Sequence, residues 1–199
     1  MTPLHHCDTF KFGGRVTNNG TGTITDVAVA ISYSTAFQDT LKFDSIQAGA
    51  ADNSLSTLGF MPTAVGSYTF DYETDISETD ANTANNDGTN SFEITDTVFA
   101  REKATPANGL GFTGGSGYIG QLFSLKVADT ITSITFYLDN PTIGDSCKAH
   151  IHNWNGNIPG SIIQTTKTVS IIAGQNWYTA MLECPAIVTS GDYFASVEQ

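Results

Sequence analysis

The chain has 199 residues, 40% of them hydrophobic and only 14% charged. Its 8 Lys and Arg stand against 20 Asp and Glu, a formal charge of -12. Such a surface repels phosphate backbones and anionic bilayers, which points away from nucleic-acid and membrane-surface roles. No run of about 20 apolar residues is present, so no helical span is expected.

In chain order, the sequence predicts strands near Phe10–Thr17, Thr25–Ser34, Leu41–Ile46, Ser54–Phe60, Gly66–Thr74 and Asn90–Thr95. Val27, Val29, Ile31 and Tyr33 alternate with Ala28, Ala30, Ser32 and Ser34. Tyr68, Phe70 and Tyr72 alternate with Thr69, Asp71 and Glu73. Period-two alternation marks strands with one buried face. Asn18-Asn19-Gly20, Gly49, Pro62 and Asn85-Asn86-Asp87-Gly88 supply the turn chemistry between them.

The second half predicts strands near Gln121–Val127, Ile131–Leu138, Lys148–Asn153, Ile162–Ser170, Trp177–Leu182 and Gly191–Val197. Ile134, Phe136 and Leu138 alternate with Thr135, Tyr137 and Asp139. Asn140-Pro141 and Asn155-Gly156 are turns. No window carries a helical period with caps. The stretch from Ala104 to Gly120 is rich in glycine and reads as a long surface loop anchored by Phe112 and Tyr118. The fold class expected is all-β, in two tandem antiparallel β-sandwiches spanning residues 1–97 and 98–199. The chain stops within a strand, and a further strand or two are expected to cover that edge, so the second sandwich is read as truncated.

Two resemblances refine this reading. Residues 8–96 resemble the CARDB family of immunoglobulin-like adhesion modules. The resemblance is carried by Arg15-Val16-Thr17-Asn18-Asn19-Gly20-Thr21, similar to a "V-x-N-x-G" turn, and by Val27–Ile31, Ile46 with Gly49, and Gly66-Ser67-Tyr68-Thr69-Phe70. Glu78-Thr79-Asp80-Ala81-Asn82 leading to Asn85-Asn86 completes it. The family's opening strand is represented here only by Thr2–Asp8. The second half is similar to jelly-roll-type modules of large secreted Bacteroidetes-type proteins, through Ile131-Thr132-Ser133-Ile134, Ala149-His150-Ile151-His152-Asn153, Ile158–Ile163 and Pro185–Tyr193. The resemblances imply an extracellular or cell-surface bacterial protein with neighbouring domains. The implied role is accessory: spacing, adhesion to a polysaccharide or another surface protein, or presentation of a catalytic domain. The segment Met1–Cys7 lacks the basic and apolar regions of a signal peptide.

Among candidate sites, no GxSxG, HExxH, P-loop or dinucleotide fingerprint occurs, so no catalytic residue is assigned and the chain is read as non-enzymatic. A fragment of a secreted hydrolase, with its catalytic part outside this chain, is an alternative. Carbohydrate binding is another: sugar faces stack on exposed rings while amides bond the hydroxyls. Trp154, between Asn153 and Asn155, leads that reading, with Trp177 and Tyr118 beside it. The plain alternative is that these rings cap the ends of the sandwich.

Asp75, Glu78, Asp80 and Asp87 lie in the densest oxygen-bearing stretch, and calcium is the cation such a loop would hold. Asx turns explain the same residues without a metal, and no other cofactor is implied. His150 and His152 share one strand face, read as a polar outward face without a third metal ligand. Of three cysteines, Cys147 and Cys184 could pair across strands, or all three are half-buried thiols. No CxxC spacing exists, which excludes a zinc ribbon.

Overall fold

Alternation governs the observed strands as it governs the sequence. The computed structural model describes residues 1–101, 110–112 and 115–199. Of the glycine-rich stretch, residues 104–109, 113 and 114 lie outside the described residues. The described chain is all-β, with sheets packed as sandwiches and only two single-turn 3-10 segments, Leu4–His6 and Thr83–Asn85. It divides into two compact units, Met1–Val98 and Phe99–Gln199.

Unit 1 contains β1 (Thr2–Pro3), β2 (Gly13–Thr17), β3 (Ile24–Tyr33), β4 (Phe37–Ile46), β5 (Ala51–Leu55), β6 (Gly66–Asp75) and β7 (Asp87–Thr95). A five-stranded sheet runs β1-β7-β6-β3-β4, and β2 pairs with β5 in a second sheet. The predicted inward residues do point inward: Val27, Val29 and Ile31 of β3 and Tyr68 and Phe70 of β6 are buried. Phe12, Phe37, Leu41, Phe43, Phe60 and Ile94 complete that core. Phe70 lies within 6 Å of five other aromatic rings, with centroid distances from 4.3 Å (Phe12) to 5.8 Å (Phe37). Such ring contacts add to the area that the rings bury.

The Asn of the "V-x-N-x-G" turn has a visible task. Asn18 is buried; its amide donates to the carbonyls of Gly22 (2.8 Å) and Ile46 (2.9 Å), and its Oδ1 accepts from Gly20 N (2.9 Å). One side chain closes the loop between β2 and β3 and ties it to the end of β4.

Unit 2 contains β8 (Tyr118–Leu125), β9 (Asp129–Tyr137), β10 (Ser146–Cys147), β11 (Ala149–Trp154), β12 (Pro159–Thr165), β13 (Val169–Ser170), β14 (Trp177–Val188) and β15 (Gly191–Glu198). A four-stranded sheet runs β12-β11-β15-β8; β14 pairs with β9, and β10 with β13. Leu125, Ile151 and Tyr193 from the larger sheet meet Leu182, Ala186 and Val188 of β14 in one cluster. Ala149 meets Phe136, Tyr178 and Ala180 in another.

The last strand departs from expectation. β15 lies inside its sheet, paired with β11 on one side and β8 on the other, not at an exposed edge. Its ladder runs on through Gln199, whose backbone exchanges bonds with Gly117 (2.9 and 3.0 Å). The Gln199 side chain accepts from Phe112 N (2.8 Å), so Phe112 is anchored as its sequence position suggests.

The Cys147–Cys184 bridge is not formed; all three cysteines are free thiols. β14 leaves its register with β9 between Met181 and Ala186. Pro185 in that interval has no N–H to offer a ladder. Cys184 therefore faces solvent on the irregular segment, while Cys147 pairs with Val169 and packs half-buried against the Phe136–Tyr178 cluster. Burial pushes the Cys147 and Cys7 thiols above their usual range, which favours the protonated form of both.

Gly120 of β8 faces Ser196 of β15. A methyl group there would run into the Ala195 carbonyl and come within 2.7 Å of the Ser196 Cα. Both tryptophans belong to unit 2, so indole fluorescence reports its unfolding. Gly120→Ala should destabilise unit 2 by about 2 kcal/mol or more in urea melts. Gly22→Ala, whose methyl meets nothing within 4 Å, should leave that transition in place.

Candidate functional site

The site grows out of β11. Ala149 and Ile151 enter the two core clusters of unit 2, so His150, His152 and Trp154 take the outer face of the four-stranded sheet. A polar outward face was expected of the two histidines. Instead both are buried, His150 at 5% and His152 at 1% exposure. Their cover comes from distant strands. Tyr118 of β8 lays its ring edge-on over both imidazoles, at 5.4 Å from His150 and 4.8 Å from His152. Phe194 of β15 covers the other side of His152 at 5.8 Å and continues to Trp154 at 5.9 Å. Tyr118, His152, Phe194 and Trp154 thus form one continuous row of rings.

Buried imidazoles need partners for their nitrogens. His152 Nδ1 faces the Gly160 carbonyl of β12 at 3.3 Å, and Nε2 faces Ser196 Oγ at 2.9 Å. A carbonyl can only accept, so Nδ1 carries the proton and Nε2 accepts from the Ser196 hydroxyl. Burial holds the His152 pKa below its ordinary value; the Gly160 bond partly opposes this, and neighbouring His150 adds to the lowering. His150 Nδ1 meets Thr165 Oγ1 at 3.0 Å. Its Nε2 is buried without a hydrogen-bond partner among the described residues, with Glu198 Oε2 at 3.4 Å.

The five residues expected to bind sugar do not form one surface. Trp154, half-buried, and Tyr118, exposed, belong to the ring row. Asn153 is exposed and donates to Ser161 Oγ (3.1 Å) across the β11–β12 pair. Asn155 is exposed in the tip of that hairpin, its backbone N–H bonded to Ile158 O (3.1 Å). Trp177 stands apart on β14 against Tyr137 (5.3 Å), on the side away from the core because Tyr178 and Phe136 point inward. Phe194, Ser196 and Glu198 were not foreseen. Their signal was the alternation of Tyr193, Ala195 and Val197, which pack inward and leave the residues between them outward.

The acidic residues of unit 1 spread out. No three of Asp75, Glu78, Asp80 and Asp87 bring carboxylate oxygens within 4.8 Å of one another. Glu78 accepts from Thr25 N and Oγ1 (3.0 and 2.9 Å), which lowers its pKa, and Asp80 closes an Asx turn onto Asn82 N (2.8 Å). Asp75 ends β6, and Asp87 opens β7 directly opposite Glu73. These are the local backbone roles that turns and sheet ends select.

No protein-family model matches this chain, and no curated protein matches it. The CARDB-like and jelly-roll-like readings therefore rest on the turn and strand residues alone.

His152 gives a pH signature. A histidine whose folded pKa is depressed binds its proton more readily when unfolded, so its contribution is whole above the ordinary imidazole range, near pH 6.5, and shrinks as the pH falls below it. Unit 2 should melt at lower temperature at pH 5 than at pH 7, and His152→Gln should make that drop smaller. Equal drops in both proteins would show that burying the neutral ring contributes nothing.

Proposed function

We propose that this chain is a non-catalytic accessory region of a larger secreted surface protein, of two modules, the first immunoglobulin-like and the second jelly-roll-like. Its contact surface is the outer face of the four-stranded sheet of unit 2, and its ligand is carbohydrate. The observation that carries the reading is the row of rings from Tyr118 through His152 and Phe194 to Trp154. Sugar rings present an apolar face that stacks on such a surface, and the exposed Asn155 lies at its Trp154 end, in the tip of the β11–β12 hairpin.

The layer beneath the rings supports this role. A binding surface works best on a rigid sheet whose side chains are locked by packing and hydrogen bonds. Ser196, Gly160 and Thr165 provide those bonds from two flanking strands. Two grooves of unit 1 fit a non-catalytic reading. One, beside Ala30, Ser32, Thr40 and Leu55, carries Asp39, which is already bonded to Leu58 N (2.8 Å) and the Thr57 hydroxyl. The other gathers Asp71, Glu73 and Asp87 on an open sheet face rather than across a closed cleft.

Affinity electrophoresis through gels containing polysaccharide tests the proposal. The native chain should be retarded by at least one glycan, and Trp154→Ala should weaken that binding at least about tenfold while leaving the melting temperature close to native. Retardation that survives in Trp154→Ala and vanishes in Trp177→Ala would move the site to β14. No retardation on any glycan would leave a spacer or a protein-adhesion role.

A further inference from the structure

We infer that the buried histidine pair takes up a single proton, at His150, and that this proton closes a latch between His150 and Glu198 across the β11–β15 pair. The latch belongs to the fold and is independent of what the ring-bearing face binds.

Its starting point is an unfinished contact. His150 is buried, and its Nε2 has no hydrogen-bond partner among the described residues. A buried polar atom left in that state costs stability, and native folds keep few of them. Glu198 Oε2 stands 3.4 Å away. A charge-assisted bond would bring the two atoms to about 2.7–2.9 Å. An added proton on the ring turns this approach into an imidazolium–carboxylate pair.

The hydroxyl partners decide which ring charges. Thr165 Oγ1 meets His150 Nδ1 at 3.0 Å, and a hydroxyl both donates and accepts. Thr165 is half-buried, so it can accept from Nδ1 and turn its own proton toward water. His152 lacks that freedom. Its Nδ1 already donates to the Gly160 carbonyl, and its Nε2 accepts from Ser196. A proton on Nε2 would force the Ser196 hydroxyl to reverse. Ser196 is buried, and its hydroxyl has no other hydrogen-bond partner among the described residues. Burial, opposed in part by the Gly160 bond and helped by neighbouring His150, holds the His152 pKa below its ordinary value.

The surrounding charges leave Glu198 as the counter-ion of His150. On β8 the titratable group is Tyr118, its ring 5.4 Å away. On β11 they are His152, at 6.0 Å, and Lys148, two residues back on the same face. Lys148 adjoins Glu198, whose N–H donates to its carbonyl (3.1 Å), but its ammonium stands 3.4 Å from Glu183 of β14. β12 sets the uncharged Thr165 opposite His150, and Lys167 follows two residues on, its N–H bonded to Met181 O (2.8 Å). The two lysines oppose a charge on His150; Glu198, in direct reach, favours it. A charged His150 in turn opposes a second charge on His152, so the folded pair holds one proton.

The latch works where imidazole is protonated and carboxylate is still ionised, near about pH 5.5 by the ordinary ranges of the two groups. It is present in acid and lost as the pH rises, the opposite sign to His152. Glu198 is exposed, so the pair is weak and offsets only part of what the burial of His152 loses. Its place is the end of β15, where Glu198 lies opposite Tyr118 of β8.

Nitrogen-15 NMR of histidine-labelled chain tests this, with a titration from pH 8 to pH 5 and assignment by His150→Gln and His152→Gln. The His150 signals should move to the imidazolium position first, while His152 keeps its proton on Nδ1 and none on Nε2. His152 charging before His150, or together with it, would overturn the single-proton latch. Urea melts of Glu198→Gln, an exposed position, test the ion pair separately. The substitution should lower the folding equilibrium constant of unit 2 by about twofold or more at pH 5.5 beyond its effect at pH 8. In a His150→Gln background that extra loss should vanish. An effect of Glu198→Gln that is equal at both pH values would overturn the pairing.

Discussion

Everything distinctive about unit 2 follows from one strand that is buried on both faces. Ala149 and Ile151 of β11 pack into the sandwich, and the alternation of a strand then forces His150 and His152 to the other side. A pair of imidazoles left in water would have made an ordinary polar surface. Here they are covered, and the cover determines the rest. Tyr118 must reach from β8 across β15 to cover them. Ser196 must offer a hydroxyl, and the Gly160 carbonyl must stay in reach. The apolar rings that complete the cover, Phe194 and Trp154, then become the accessible surface.

Unit 1 solves a different problem with the same alternation. Its core is a cluster of aromatic rings centred on Phe70, and the outer face of its larger sheet is polar. Like charges stand opposite each other where Glu73 pairs with Asp87, an arrangement that costs some stability. Asn18 closes the loop between β2 and β3 through three bonds from one amide. This is why a turn signature can be legible in sequence without saying anything about a ligand: its residues satisfy their own backbone.

The strands were legible because burial on one face writes a period of two. β3, β6 and β11 begin and end within a residue of the expected Thr25–Ser34, Gly66–Thr74 and Lys148–Asn153. The two-residue strands β1, β10 and β13 were not legible, since two residues carry no period. Nor could alternation tell which sheet a strand joins. It placed Trp154 and Trp177 in one imagined site, whereas β11 and β14 belong to different sheets. The burial of His150 and His152 was hidden for a related reason: Ser196 lies 44 residues from His152 in sequence, and the Tyr118 ring comes from β8. The failed Cys147–Cys184 pairing has a local cause, the loss of register before Pro185 that leaves Cys184 in solvent.

The layered outer face of unit 2 is therefore the central claim, and its tightest element is the state of one imidazole. Nitrogen-15 NMR of histidine-labelled protein at pH 7 reads that state directly. The account predicts that His152 is neutral, protonated on Nδ1, with Nε2 accepting from Ser196, and that Ser196→Ala alone shifts the Nε2 signal. A protonated ring, or a neutral ring carrying its proton on Nε2, would contradict the packing that the proposed surface is built on.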